Sequence, residues 1–391
     1  MKQIFPFSIN DPLPPIKKIT EVTKYGYMDG DRNILDLSLG SCGCFPLGFD
    51  RTDLVDSVTS QLKEVPFCQG DFVTSHSLVT DLSEYLYTIS NGFYSIYSLS
   101  GSDAIEGAIK IAKMYHKGTD RNKIIGFKKS YHGSTYMSSS VAGTNYITDI
   151  FGKHRDCISI DYDQIENTIN YNTAAVIIET ASWGGTNLGK TDKDYFKKVR
   201  SLCDKFGALM IIDDIAFCGG KTGTILGFEK LEITPDIFCL GKGISGGYFP
   251  LSITLFNQKV ADIVKPQFLM HGFSYSFPMS GIISALEYFK ILDEEKILLD
   301  HNDIINAANE LMIELKNLDL IDEWNSYGVC FSITPHNKIE DPLLRDQHFY
   351  QHGLHLGVWN QNSERILIMM PIKFDLNYFR ELRIKLITAL R

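Results

Sequence analysis

Apolar positions along this chain follow two spacings. Helical periodicity marks residues 52–64, 78–89, 102–116 and 194–206, while compact β-branched and apolar runs mark strands at 123–127, 174–179, 208–213, 237–240 and 251–255. Strand and helix in repeated succession predict an α/β fold built on a mostly parallel sheet covered on both faces. Past residue 279 the pattern changes to two long helical stretches, strands at 329–333 and 366–369, and an amphipathic helix over 376–390. This predicts a smaller α+β domain formed by both chain ends, residues 1–48 and 281–391, around a large domain of residues 49–280.

Composition narrows the function classes. The 391 residues are 44% hydrophobic and 22% charged, ordinary for a folded enzyme-sized protein. A formal net charge of -9, with no run of lysines and arginines interleaved with aromatics, argues against nucleic acid as a partner. The eight cysteines form no pair of CxxC motifs and no histidine spacing suited to zinc, so no metal site is expected and the thiols read as reduced. No apolar run approaches a membrane span, and a cytoplasmic protein is expected.

Candidate chemistry sits at the predicted strand ends. The run Leu209-Met210-Ile211-Ile212-Asp213-Asp214 ends in two carboxylates, and Lys242 lies in a glycine-bracketed loop, Gly241-Lys242-Gly243. A lysine that condenses with an aldehyde and a buried aspartate that keeps a pyridine nitrogen protonated are what pyridoxal phosphate (PLP) chemistry requires. A solvated loop lysine is an equal alternative on these residues alone. Gly101 and Ser102 stand in a Ser-Gly-Ser turn before a helix, where free N–H groups suit a phosphate or simply a serine N-cap. Tyr131 can stack on a flat ring, with His132 lining the pocket, or be a surface aromatic in a turn. Ile215 projects to the same side as Asp213 and is either a wall for the other ring face or core filler. Ser274, after His271-Gly272, offers a hydroxyl to a phosphate or merely turns the chain.

The order of these signals resembles the class III aminotransferases of the fold-type I PLP family over nearly the whole chain. Within that class it is most similar to the diaminopelargonic acid (7,8-diaminononanoate) aminotransferases. Phe5-Pro6-Phe7-Ser8 with Asp11-Pro12-Leu13-Pro14, the segment PDIFCLGKGISGGYFP over 235–250, Phe268-Leu269-Met270-His271-Gly272 and Ile368-Met369-Met370-Pro371 carry the likeness. The resemblance implies a seven-stranded-type sheet, pyridoxal 5'-phosphate as cofactor, and a homodimer with shared active sites acting on a small-molecule amino donor and a carbonyl acceptor. It makes Lys242 the Schiff-base lysine, Asp213 the partner of the pyridine nitrogen, Gly101 and Ser102 phosphate ligands, and Tyr131 the stacking residue. Ser274 stands for a threonine that reaches the neighbouring subunit's phosphate, and Gly272 beside it is placed near substrate.

Three positions depart from that pattern. Phe7 replaces a tyrosine, Gly40-Ser41 replaces a tryptophan pair and so removes an apolar wall, and Gln361 replaces an arginine that pairs with a carboxylate. Glutamine has no charged fork, and Arg365 lies four residues further on as the only nearby compensation. The expectation is an acceptor more polar than 8-amino-7-oxononanoate and uncharged. An aminomutase or decarboxylase on the same fold is the alternative, and a non-catalytic scaffold the remote one.

Overall fold

The structure is a computed structural model, and it describes residues 17, 19–69, 74–143, 145–181, 192–357, 365–373 and 375–391. Its main sheet has seven strands in the spatial order Tyr94–Ser98, Ser252–Phe256, Ile237–Leu240, Leu209–Asp213, Thr173–Glu179, Lys123–Phe127 and Cys157–Ile160. Ser252–Phe256 runs antiparallel to both neighbours, and the remaining pairs are parallel.

Strand alternation sorts the apolar residues into two layers. Ile124, Ala175, Ile177, Leu209, Ile211 and Ile237 pack on one face with Ala104, Ala108 and Ile111 of the helix Gly101–Tyr115. Ile125, Val176, Ile178, Met210, Ile212 and Phe238 face the other layer, with Phe196, Val199 and Cys203 of the helix Lys193–Phe206. Every residue of Thr173–Glu179 and of Leu209–Asp213 is buried, which is why these strands read as continuous apolar runs. The two edge strands, Tyr94–Ser98 and Cys157–Ile160, escaped the sequence pattern because they are short and only partly buried, and serine, with tyrosine in the first, interrupts their apolar run.

Two smaller sheets flank this one. Glu21–Thr23, Gly26–Asp29 and Arg32–Asp36 form one with Leu354–His355, which pairs parallel to Arg32–Asp36 and so ties the two ends of the chain together. Ile321–Tyr327, Cys330–Pro335 and Ile366–Met369 form an antiparallel trio. The helix Met279–Glu294, which straddles the expected boundary at 280, packs against the helices Thr52–Glu64 and Ser77–Ile89 and against the turn Lys242–Ser245. No helix among the described residues is long and apolar enough to cross a membrane.

Candidate active site

The carboxyl ends of parallel strands are where such folds place their loops and ligands. Here Glu179 and Asp213, the last residues of adjacent strands, are paired in register. Beside them opens a cavity of about 250 Å³ lined by Cys42, Gly101, Ser102, Tyr131, His132, Gly133, Glu179, Asp213, Ile215, Ala216, Phe217 and Lys242. Seven of the residues singled out in the sequence thus meet in one pocket, although they come from four separate segments.

The helix Gly101–Tyr115 starts at that pocket. Ser100 is its N-cap, accepting from Asp103 N, so the serine cap and the pocket-facing pair Gly101 and Ser102 are successive residues rather than alternatives. The N–H groups of the first turn and the positive end of the helix dipole point where an anion would bind. Gly101 sits at a close approach: a Cβ there would lie 3.0 Å from Cδ1 of Ile215, so any larger residue must push that side chain aside. Ile215 is also 3.1 Å from a Cβ placed on Gly241, so its side chain is wedged between the turn at Gly101 and the loop that carries Lys242.

Asp213 is 6% exposed and held through both of its oxygens. Its Oδ1 accepts from Ile215 N at 3.1 Å, and its Oδ2 lies 2.7 Å from Nδ1 of the buried His132. His132 is therefore more than the lining residue that the sequence implied, because it orients the aspartate. Asp214 points the opposite way, into the protein. It accepts from Thr180 Oγ1 at 2.6 Å and from Gly227 N at 2.7 Å, and burial pushes its carboxyl up to about 8 against those bonds and against the Lys221 charge.

That displacement has a measurable sign. A carboxyl raised above its unfolded value keeps its proton longer in the folded state, so the folded protein binds more protons between the two pKa values and stability falls as pH rises from about 4 to 8. Asp214→Asn, which can donate to Thr180 and accept from Gly227, should remove this slope and be the more stable protein at pH 8, by an amount on the order of a few kcal/mol at most. Asp214→Ala leaves the Gly227 N–H without its carboxylate partner and the Thr180 hydroxyl with only the distant Asp213 carbonyl at 3.4 Å, and should cost about 1–3 kcal/mol. Denaturant titrations at pH 5 and pH 8 would show both effects, and a flat profile in the unsubstituted protein would exclude a protonated Asp214.

Lys242 begins the one-turn 3₁₀ segment Lys242–Ser245 with a left-handed φ of +47°. The facing segment, Leu39–Gly43, is also left-handed, with φ of +46° at Leu39, +75° at Gly40, +81° at Cys42 and +71° at Gly43. Non-glycine residues held there cost about 1–3 kcal/mol each and persist where surrounding structure fixes them. Nothing in the sequence marks Leu39 or Cys42 for this conformation, so Cys42 was not foreseen as a pocket residue. Glu179 was detectable, as an acid closing an apolar strand, and its Oε1 accepts from Tyr131 N at 3.4 Å.

Gly40 corrects an expectation. Its neighbourhood is not an opened wall: a Cβ there would come within 2.3 Å of Phe45 Cδ2 and 3.3 Å of Phe49 Cε1. Phe45 packs tilted against Phe49 and edge-on to Tyr248, with centroids 4.7 and 5.3 Å away, and this aromatic group fills the space. Arg365 is likewise no substitute for an arginine in the pocket, because its Nη2 donates to Glu323 Oε2 at 2.8 Å and it is absent from the pocket lining. Gly272 and Ser274 line a different cavity with Phe67, Asp103, Glu106 and Lys110, and do not meet Lys242 within one chain. Phe7 and Gln361 lie outside the described residues.

Comparison with known proteins agrees with this geometry. The class-III aminotransferase family model matches residues 18–375. An uncharacterized aminotransferase of Archaeoglobus fulgidus is 27% identical over 371 residues, covering 91% of this chain and 84% of its own. An adenosylmethionine-8-amino-7-oxononanoate aminotransferase of Nitratidesulfovibrio vulgaris is 27% identical over 271 residues, covering 61% of this chain and 50% of its own. Among solved structures, an amine transaminase from an uncultivated Pseudomonas species, in its PLP-bound internal aldimine form, superposes with a TM-score of 0.89 at 23% identity, over 100% of this chain and 98% of that one. The fold is thus that of the fold-type I transaminases, and the chain belongs to the class-III aminotransferases, the PLP-dependent transaminases.

Proposed function

We propose that this transaminase aminates a polar, uncharged carbonyl acceptor, with Lys242 as the residue that both holds the cofactor and moves the proton. The observation that carries the assignment is the meeting of Lys242, Asp213, Tyr131, Ile215 and the helix start at Gly101 and Ser102 in one cavity. These residues fit PLP: a lysine for its aldehyde, a buried carboxylate for its ring nitrogen, a wedged isoleucine and a tyrosine for its faces, and free N–H groups for its phosphate. When bound, PLP supplies an electron sink for the carbon that gives up its proton.

Each remaining task falls to the chain. Lys242 Nζ binds the cofactor and, once the donor displaces it, carries a proton at that same nitrogen. Asp213 presents its carboxylate to the ring nitrogen, its orientation set by His132 and by Ile215 N. Burial of the cavity floor excludes water from that contact and strengthens it.

The polarity of the acceptor follows from what lines the site. Among the described residues no arginine lines the cavity, and Arg365 is engaged by Glu323. A substrate carboxylate would have no bidentate partner there. Ser274 and Gly272 are assigned to the site of a second copy. Phe268, Met270 and Tyr275 beside them are 80%, 73% and 56% exposed, an apolar surface suited to a homodimer. Eight unbridged thiols suit a reducing compartment such as the cytoplasm.

The test is a panel of acceptors with the PLP-loaded protein: 8-amino-7-oxononanoate, short keto acids and neutral keto sugars, each with several amine donors. Neutral polyhydroxy ketones should give the largest kcat/KM. A higher kcat/KM for 8-amino-7-oxononanoate or for a keto acid would overturn the acceptor assignment while leaving the transaminase itself intact.

A further inference from the structure

Lys221 is 1% exposed and sits in the segment that follows the aspartate strand, yet it does not line the cofactor cavity. Its Nζ donates to the carbonyl of Gly43 at 3.2 Å. A Cβ built on Gly243 would lie 2.8 Å from that same nitrogen, and one built on Gly43 would lie 3.2 Å from Lys221 Cδ. The side chain therefore threads between the two left-handed turns, the one ending in Gly43 and the one beginning at Lys242.

Its charge is expensive where it sits. Asp214 feels the ammonium, but gives its two oxygens to Thr180 and Gly227. Removing a cation from water is unfavourable, and a methionine would fill the same volume without that cost. What the ammonium adds is a directed, charge-assisted bond to the Gly43 carbonyl, placed beside Cys42. The charges of Lys221 and Lys242 also both act on the thiols of half-buried Cys44 and of buried Cys218 and Cys330.

We propose that Lys221 is a positioning residue: its buried ammonium pins the Gly43 carbonyl and backs Gly243, fixing Cys42 and Lys242 on facing walls of the cofactor cavity. The inference rests on Lys242 being the attachment lysine. It adds that a second lysine, out of reach of the cofactor, sets the shape into which the cofactor fits. No part of the mechanism above uses Lys221.

The experiment compares the full-length protein with Lys221→Met, Lys221→Gln and Lys221→Arg. Three readouts are needed: thermal unfolding, the dissociation constant for PLP, and the rate at which Cys42 of the apoprotein reacts with a small alkylating reagent, followed by peptide mass. Lys221→Met should bind PLP about tenfold or more weakly, as expected for loss of a charged hydrogen bond, with faster labelling of Cys42. Lys221→Arg should recover binding to within about threefold, since it restores charge and donor together. Unchanged affinity and labelling in folded Lys221→Met would overturn the proposal, as would an arginine variant that binds no better than the methionine one. If the methionine variant does not fold, Lys221→Gln carries the same comparison, because it keeps a donor and loses the charge: affinity equal to the unsubstituted protein's overturns the role of the ammonium. Borohydride reduction of the unsubstituted, PLP-loaded protein keeps the two assignments apart. A reduced adduct anywhere but Lys242 removes the underlying assignment, whereas an adduct on Lys242 with unaltered Lys221 variants removes only this inference.

Discussion

Lys242→Ala should lower the rate of amino transfer by at least about three orders of magnitude, because one side chain supplies both the covalent anchor and the proton carrier, and general acid–base catalysis alone is worth about 10²–10⁴-fold. The loss should fall on kcat in single-turnover experiments and leave the unfolding temperature nearly unchanged. The turn has a left-handed φ of +47° at this residue, a conformation that alanine tolerates no worse than lysine. Borohydride treatment of the variant should leave no covalent adduct. Added alkylamines should restore part of the rate, since a free amine can diffuse into the emptied side-chain volume. Activity within tenfold of the unsubstituted protein would transfer the anchoring role to another lysine.

Asp213→Asn has the second largest expected effect. Truncating one member of a buried, hydrogen-bonded charge pair costs about 2–5 kcal/mol, which is roughly 30- to several-thousand-fold in rate at about 1.4 kcal/mol per factor of ten. Asparagine keeps the volume and can still accept from Ile215 N, but its amide group meets His132 Nδ1 where a carboxylate oxygen stood at 2.7 Å. The charge opposite the cofactor's ring nitrogen is lost, so kcat should fall far more than PLP affinity. The companion variant His132→Asn should sit between the two proteins, because it releases the aspartate without neutralising it. Equal loss in kcat for Asp213→Asn and Asp214→Asn would contradict the separation of their roles, since Asp214 faces Thr180 and Gly227.

The elements read from periodicity agree closely with those observed. The helices Thr52–Glu64, Ser77–Ile89, Gly101–Tyr115 and Lys193–Phe206 and the strands Lys123–Phe127 and Ile237–Leu240 start and end within about a residue of their expected limits. Burial on both faces leaves central strands with an unbroken apolar code, and a one-sided helix leaves a 3.6-residue stripe. Where the code is weak the pattern marks no element: the half-buried edge strands carry no unbroken apolar run, and the reversed direction of Ser252–Phe256 has no local signature at all.

Residue type and order along the chain determined the chemistry. A lysine can anchor an aldehyde as a Schiff base, a carboxylate can balance a protonated ring nitrogen, and a glycine turn before a helix exposes N–H groups, so Lys242, Asp213, Gly101 and Ser102 stood out as candidates in the sequence, and the order they share with the class III aminotransferases favoured this reading over a solvated lysine and a plain N-cap. Strand alternation further required Asp213 and Asp214 to face opposite sides. Tertiary structure decided what alternation could not: which side holds the cavity, that His132 orients Asp213, that Phe45 occupies the space beside Gly40, and that Cys42 and Lys221 belong to the same corner. The His132–Asp213 and Lys221–Gly43 contacts join residues 81 and 178 positions apart, and the corner is shaped by left-handed turns that no residue preference announces at Leu39, Cys42 or Lys242, so packing alone brings such groups together.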